Sequence, residues 1–232
     1  MKTIGLIGGM SWESSVVYYR LLNEAVRERR GGLHSACCVL YSVDFAEIEA
    51  LQHEGRWEDA TALMVDAARR LERAGAELLL IATNTMHRMA EAVEKACPVP
   101  LLHIADATAE QIKTDGLGHV GLLGTRYTME QDFYRGRLEQ RHGLSVLVPA
   151  AAGRELVHRA IYDELCLGVL NESTRQGFRE VMARLVEEGA QAIILGCTEI
   201  GLLVKPGDAP VPLYDTTAIH ARRAVEQALQ EP

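Results

Sequence analysis

Glu188-Gly-Ala-Gln-Ala-Ile-Ile-Leu-Gly-Cys-Thr-Glu199 is the stretch whose reading decides the fold. Its apolar run, Ala192 to Leu195, stops at Gly196, and polar residues follow at once. A buried parallel strand ending at a functional edge has this form. Ala74-Gly-Ala-Glu-Leu-Leu-Leu-Ile-Ala-Thr-Asn-Thr85 repeats the phrase 114 residues earlier and sets Thr83 on Cys197. His119-Val-Gly-Leu-Leu-Gly124 matches Thr3-Ile-Gly-Leu-Ile-Gly8 at an offset of 116, and Pro210-Val-Pro-Leu213 matches Pro98-Val-Pro-Leu101 at 112. Three matches in one order predict an internal duplication.

The fold expected is α/β, with two pseudo-symmetric lobes, 1–115 carrying Thr83 and 116–232 carrying Cys197. Each is predicted to hold a mostly parallel four-stranded sheet flanked by helices, with strand C-terminal edges facing across a cleft that forms the site. The last helix of each unit is open to packing on the other lobe. In the first lobe a helix runs from the Gly8-Gly9 turn to about Arg30, with Val16, Tyr19, Leu22 and Val26 at helical spacing. Ala36 to Val43 reads as a strand that buries Cys37 and Cys38 as small apolar residues. Asp44 to Asp59 is polar, with a short helical pattern (Phe45, Ile48, Leu51), and its length suits a lid or substrate strap. In the second lobe, helices are expected over 129–141 and over 154–188, the latter broken near Asn171 with Ser173 as the cap.

The chain has 232 residues, ample for a buried core, and a formal charge of −8. That charge argues against nucleic acid or an anionic membrane surface as partner, though not against a small anionic substrate. No apolar run approaches the ~18 residues of a membrane span. Met1 to Gly9 lacks the length and cleavage pattern of a signal peptide and reads as a first strand. The five cysteines are odd in number and form no C-x₂-C pair, which suits free thiols in a reducing cytoplasm.

Cys197 opens a turn into a helical segment, where backbone N–H groups favour a thiolate. Thr83, its counterpart, carries an alcohol that titrates far above any base useful at neutral pH. His87 lies four residues on and is placed to reach back across one helical turn, or else to cap or solvate the helix. Asn84 and Thr85 supply donors at a helix start, a natural carboxylate cradle. The Gly8-Gly9-Met10-Ser11 turn lacks G-x-G-x-x-G, so a dinucleotide reading fails. No metal-ligand spacing and no lysine poised for pyridoxal phosphate appear, so neither metal nor cofactor is expected.

Gly8-Gly9-Met10-Ser11, Ala82-Thr83-Asn84-Thr85-Met86-His87 and Leu195-Gly196-Cys197-Thr198-Glu199 together resemble the cofactor-independent aspartate/glutamate racemases over nearly the whole chain. Members of that family set one cysteine from each lobe on opposite faces of the substrate α-carbon. The resemblance implies that Cys197 and Thr83 flank a small acidic amino acid. It implies that Met10, Gln52, Asn84, Thr85, Thr125, Thr128, Thr198 and Glu199 contact it, Gln52 from the strap. Thr83 departs from the family pattern, in which both positions hold cysteine. The reaction expected is therefore asymmetric: Cys197 takes the α-proton from an L-amino acid, and Thr83 serves the other face poorly. Aspartate and glutamate both remain open, with Arg126 and Arg88 as the available grips for the side-chain carboxylate, and a homodimer is left open. Rival readings are an amino-acid sensor derived from a racemase and a one-cysteine relative acting on diacids, by decarboxylation or maleate isomerisation.

Overall fold

A computed structural model describes residues 1–230. The first unit comprises residues 1–104 together with the chain from His220 onward, and the second comprises Ala105–Ile219. The C-terminal helix is thus part of the first unit, and the helix that follows Ile104 is part of the second.

In the first unit β1 (Ile4–Gly8) leads to α1 (Trp12–Arg30), β2 (Cys38–Ser42), α2 (Phe45–His53), α3 (Trp57–Arg73) and β3 (Leu78–Ile81). A 3₁₀ turn, Thr85–Met89, then runs into α4 (Ala90–Ala96). The strands form a parallel sheet in the order β2-β1-β3, with Ile7 opposite Ile81. Alternation assigns the two faces of β3. Leu79 and Ile81 pack with Met64, Ala67 and Leu71 of α3, while Leu78 and Leu80 pack with Tyr18, Leu22 and Val26 of α1. Ala221, Ala224, Val225 and Ala228 of the C-terminal helix complete the second layer.

Three expectations for this unit need correction. The predicted fourth strand shrinks to a single parallel bridge between Leu79 and Leu101. Leu79 N–H donates to the Pro100 carbonyl at 2.8 Å and Leu102 N–H to the Leu79 carbonyl at 3.0 Å, so the pairing amounts to two hydrogen bonds about one residue. Cys37 is exposed and Cys38 only half-buried, because β2 is an edge strand that begins at Cys38. On α1 the covered face is Tyr18, Leu22, Ala25 and Val26, and Val16 and Tyr19 lie exposed. The short helical pattern expected after Asp44 is a regular helix with buried Ile48, Leu51 and Gln52, and Asp44 caps it by accepting from Ala46 N–H at 3.0 Å.

The second unit contains α5 (Ile104–Thr114), β4 (His119–Gly124), α6 (Arg126–Glu130), α7 (Arg135–His142), β5 (Ser145–Leu147) and α8 (Ala151–Arg159). It continues with α9 (Glu172–Glu187), β6 (Ala192–Gly196), α10 (Ile200–Leu203) and β7 (Leu213–Asp215); α11 (Thr216–Leu229), which from His220 onward belongs to the first unit, follows. Its sheet is parallel, in the order β5-β4-β6-β7. That is the strand order of the first unit with the Leu101 bridge promoted to a full strand. The helix expected over 129–141 is two helices, α6 and α7. The stretch from 154 passes through a π-helical turn, Ala160–Glu164, and a 3₁₀ turn, Leu165–Leu167, before Gly168 ends it at φ +73°. The cap of α9 is Asn171, whose side chain accepts from Ser173 N–H at 3.0 Å, so Ser173 donates where it was expected to accept.

Two glycines show the duplication in three dimensions. A Cβ on Gly5 would lie 2.7 Å from Ala76 and 3.3 Å from Leu71; one on Gly121 would lie 2.7 Å from Ile193 and 3.0 Å from Leu185. Leu71 and Leu185 are 114 residues apart, Gly5 and Gly121 116. In both units, then, the central strand gives up a side chain so that α3 or α9 can close on the sheet. Among the described residues no helix is long and apolar enough to cross a membrane.

Candidate functional site

Each unit gathers its own group of candidate residues at the C-terminal edge of its sheet, beyond β1 and β3 in the first and beyond β4 and β6 in the second. In the first unit, Gly9 sits at φ +91°, and a Cβ there would lie 2.2 Å from the Val43 carbonyl. Only glycine lets the β1–α1 turn lie so close to the end of β2. Buried serines then tie the turn down. Gly9 N–H donates to Ser15 Oγ at 2.7 Å, and Ser14 Oγ donates to the Ala82 carbonyl at 2.9 Å, beside Thr83. Met10 is buried in the same apolar core as Ile48, Leu51 and Met86. Gln52, also buried, donates its amide to Met86 Sδ at 3.1 Å, so α2 is held against the turn that carries Thr83, Asn84 and Thr85.

Thr83 is half-buried, Asn84 and Thr85 are buried, and the Asn84 side chain does not cap the 3₁₀ turn that follows. His87 does reach back, but to the backbone. Its Nδ1 lies 2.8 Å from the Thr83 carbonyl, and its Nε2 accepts from Ile104 N–H at 3.2 Å. An accepting Nε2 assigns the proton to Nδ1, which donates to the carbonyl, so the ring is neutral with both nitrogens used. His87 is a clasp for the Thr83 backbone and not the activator of its hydroxyl.

In the second unit Thr125 caps α6, accepting from Thr128 N–H at 3.3 Å, and the two hydroxyls lie 3.2 Å apart. Both are buried. At the end of β6 Cys197 is 8 % exposed, and Glu199 is 2 % exposed. Cys197 Sγ donates to Glu199 Oε2 at 2.9 Å, and Thr198 Oγ1 donates to the same oxygen at 2.5 Å. The expected helix-terminal thiolate needs correction. The helix that follows is only the four residues of α10, and the thiol is held well above its ordinary value, first by burial and then by the negative charge of Glu199 and by Cys166, which outweigh the opposing pull of the Glu199 backbone N–H. Cys166, in the 3₁₀ turn after α8, is itself pushed up by burial and by Glu199. Spacing along the chain gave no sign of that neighbour, because 31 residues separate it from Cys197.

The two arginines considered for the side-chain carboxylate are already engaged. Arg126 pairs with Glu155 at 2.6 Å, and the Arg88 guanidinium lies 4.2 Å from the centre of the Trp57 ring. Among the described residues no group of three or more acidic, histidine or cysteine side chains is placed to hold a metal ion.

The Asp/Glu/Hydantoin racemase model matches residues 7–224. The chain belongs to that family. This family member is 57 % identical to a candidate Asp/Glu racemase from Yersinia pestis, with a TM-score of 0.92 over 99 % of this chain and 100 % of that one. It is 38 % identical to an aspartate racemase homologue from Pyrococcus horikoshii OT3, with a TM-score of 0.86 over 99 % and 100 %. It is also 25 % identical to the broad specificity amino-acid racemase RacX of Bacillus subtilis, over 72 % of this chain and 71 % of that protein. The two-sheet parallel architecture of this racemase-family chain is the one the sequence repeats predicted.

Proposed function

We propose that the chain racemises a small acidic amino acid, aspartate or glutamate, by moving the α-proton without a cofactor. Cys197 is the base for the L-enantiomer, and Thr83 stands in the opposite position. The observation that carries this reading is the strand register. Cys197 lies two residues beyond Leu195, which pairs with Leu123 of β4, and Thr83 lies two residues beyond Ile81, which pairs with Ile7 of β1. The two residues thus hold equivalent places in duplicated units, as a pair of proton-transfer groups for two faces of one carbon requires. A thiol and an alcohol differ by several units in acidity, so the two directions differ in rate and binding while the free enantiomers still equilibrate near one to one. Acidic substrates follow from the names of the relatives, and the buried threonines at Thr85, Thr125, Thr128 and Thr198, with Asn84, are the side chains assigned to hold the carboxylates and ammonium. Met10, Gln52 and Glu199 complete the set, and the cytoplasm is the compartment assigned.

The test is α-proton exchange in D₂O with L- and D-aspartate and L- and D-glutamate, followed by NMR. Exchange at the L α-carbon that is lost in Cys197→Ala and survives in Thr83→Ala is the expected result. Exchange lost in Thr83→Ala and retained in Cys197→Ala refutes the assignment. Binding of L-aspartate without exchange replaces it with a sensor, and turnover of diacids lacking an amino group replaces it with a decarboxylase or isomerase.

A further inference from the structure

We propose that His158 is a positioning residue for the Thr125–Thr128 hydroxyl pair: its neutral ring pins the first turn of α6 to α8, and taking up a proton frees that turn and weakens substrate binding. This rests on the reading that Thr125 and Thr128 hold the substrate, and it gives a role to a residue that acts through them.

Three observations support it. First, the leading N–H groups of a helix have no partner within it, and in α6 two of them are met by side chains. Thr125 Oγ1 accepts from Thr128 N–H at 3.3 Å, and His158 Nδ1 accepts from Arg126 N–H at 3.3 Å. An amide only donates, so Nδ1 is bare and the proton of the neutral ring sits on Nε2. Second, the contact lies beside the groups it positions. Arg126 follows Thr125 directly, and the buried hydroxyls of Thr125 and Thr128 are 3.2 Å apart. Third, the other polar links between the two helices are weaker holds. Arg126–Glu155 and Arg154–Glu130, both at 2.6 Å, are partly exposed ion pairs, a kind that contributes little. His158 is half-buried, with the rings of Tyr127 and Tyr162 edge-on to it at 6.3 and 5.0 Å between centres.

Protonation turns Nδ1 from acceptor into donor, so two N–H groups would meet across the same 3.3 Å. The new charge would also add to that of the Arg126 guanidinium. Both effects push the start of α6 away from α8. Burial first, and then the charge of Arg126, lower the pKa of His158 from its ordinary value of 6.5, against Glu155, Asp163 and Glu130. The ring is therefore neutral and the contact intact at pH 7.5, and release comes as the pH falls below the ordinary histidine range. The charged groups facing the ring are Arg126 and Glu130 from α6, Glu155 from its own helix and Asp163 from the π-helical turn. Of the other elements packed on α8, β4 is uncharged from Val120 to Gly124, and α9 meets the helix at Gly153 and Leu156.

The test compares the full-length wild type with His158→Leu, which removes the acceptor, and His158→Asn, whose side-chain oxygen replaces Nδ1 and does not titrate. One measurement is KM and kcat for α-proton exchange of L-aspartate and L-glutamate between pH 7.5 and 5. The other is the backbone amide resonance of Arg126 in isotope-labelled protein, followed over the same range without substrate. Wild-type KM is expected to rise about 5–10-fold toward pH 5, the order that one hydrogen bond contributes. His158→Leu starts at the raised KM at pH 7.5 and stays flat, with kcat within about 2-fold of wild type at each pH. His158→Asn recovers most of that loss at pH 7.5 and is also flat. The Arg126 resonance moves with the His158 titration in wild type and in neither variant. Unchanged KM in His158→Leu overturns the proposal, and so does an acid rise in His158→Asn equal to that of wild type. An Arg126 resonance indifferent to pH in wild type overturns it as well. Should the wild type exchange no α-proton, the racemase reading fails by itself, and the Arg126 resonance still decides whether His158 holds the turn.

Discussion

Acidifying the protein should loosen the C-terminal helix through one histidine. His220 on α11 is fully buried, its Nε2 lies 2.9 Å from the Leu102 carbonyl, and its Nδ1 lies 2.8 Å from the Tyr18 hydroxyl. A carbonyl can only accept, so Nε2 carries the proton and Nδ1 takes the tyrosine's hydrogen. The ring is neutral and both nitrogens are used. Burial lowers its pKa from 6.5 to about 4. The unfolded chain binds the proton first, so stability is full above pH ~6.5, declines as the pH falls toward 4, and loses nothing further from this group below that. At about 1.4 kcal/mol per pKa unit, the shift corresponds to about 3 kcal/mol. Urea unfolding of wild type and His220→Gln at several pH values between 7.5 and 4 measures it, since other titrating groups cancel in the difference. At pH 7.5 the variant should be less stable by about 1–2 kcal/mol for its weakened hydrogen bonds. By pH 4.5 that gap should close or reverse, because glutamine has nothing to protonate. Parallel stability curves for the two proteins across this range would refute the reasoning.

Two further outcomes follow from particular positions. Gly9→Ala forces a side chain into the Val43 backbone at a positive φ, and should cost about 2–3 kcal/mol or more, lowering the thermal midpoint by about 5–10 °C; an unchanged midpoint would show that the turn relaxes freely. Thr83→Cys restores a thiol to the second proton-transfer position and should raise α-proton exchange of D-substrates by about 10²-fold, measured in D₂O; no change would remove Thr83 from the D side.

What the sequence by itself determined is the duplicated plan and its paired positions. Strands buried on both faces read as unbroken apolar runs, and their ends are marked by small and polar residues, so Leu195-Gly196-Cys197 and Ile81-Ala82-Thr83 correspond in sequence alone. The glycines of the central strands obeyed the same repeat. Only the tertiary structure decided which face of α1 is covered, because Ala221, Ala224 and Val225 pack there from some 200 residues along the chain. It also decided that β2 is an edge with exposed Cys37, and that the fourth strand of the first sheet reduces to a bridge at Leu101. His87 was legible as a residue one turn from Thr83, but the atom it would hold was not, since its second partner is the Ile104 amide. The charge state of Cys197 was the least legible feature. Local pattern suggested a helix-stabilised thiolate, whereas desolvation and a carboxylate 2.9 Å away favour the protonated thiol. Periodicity and turn chemistry are short-range properties that a chain carries in its sequence; burial and charge proximity depend on what the fold brings alongside.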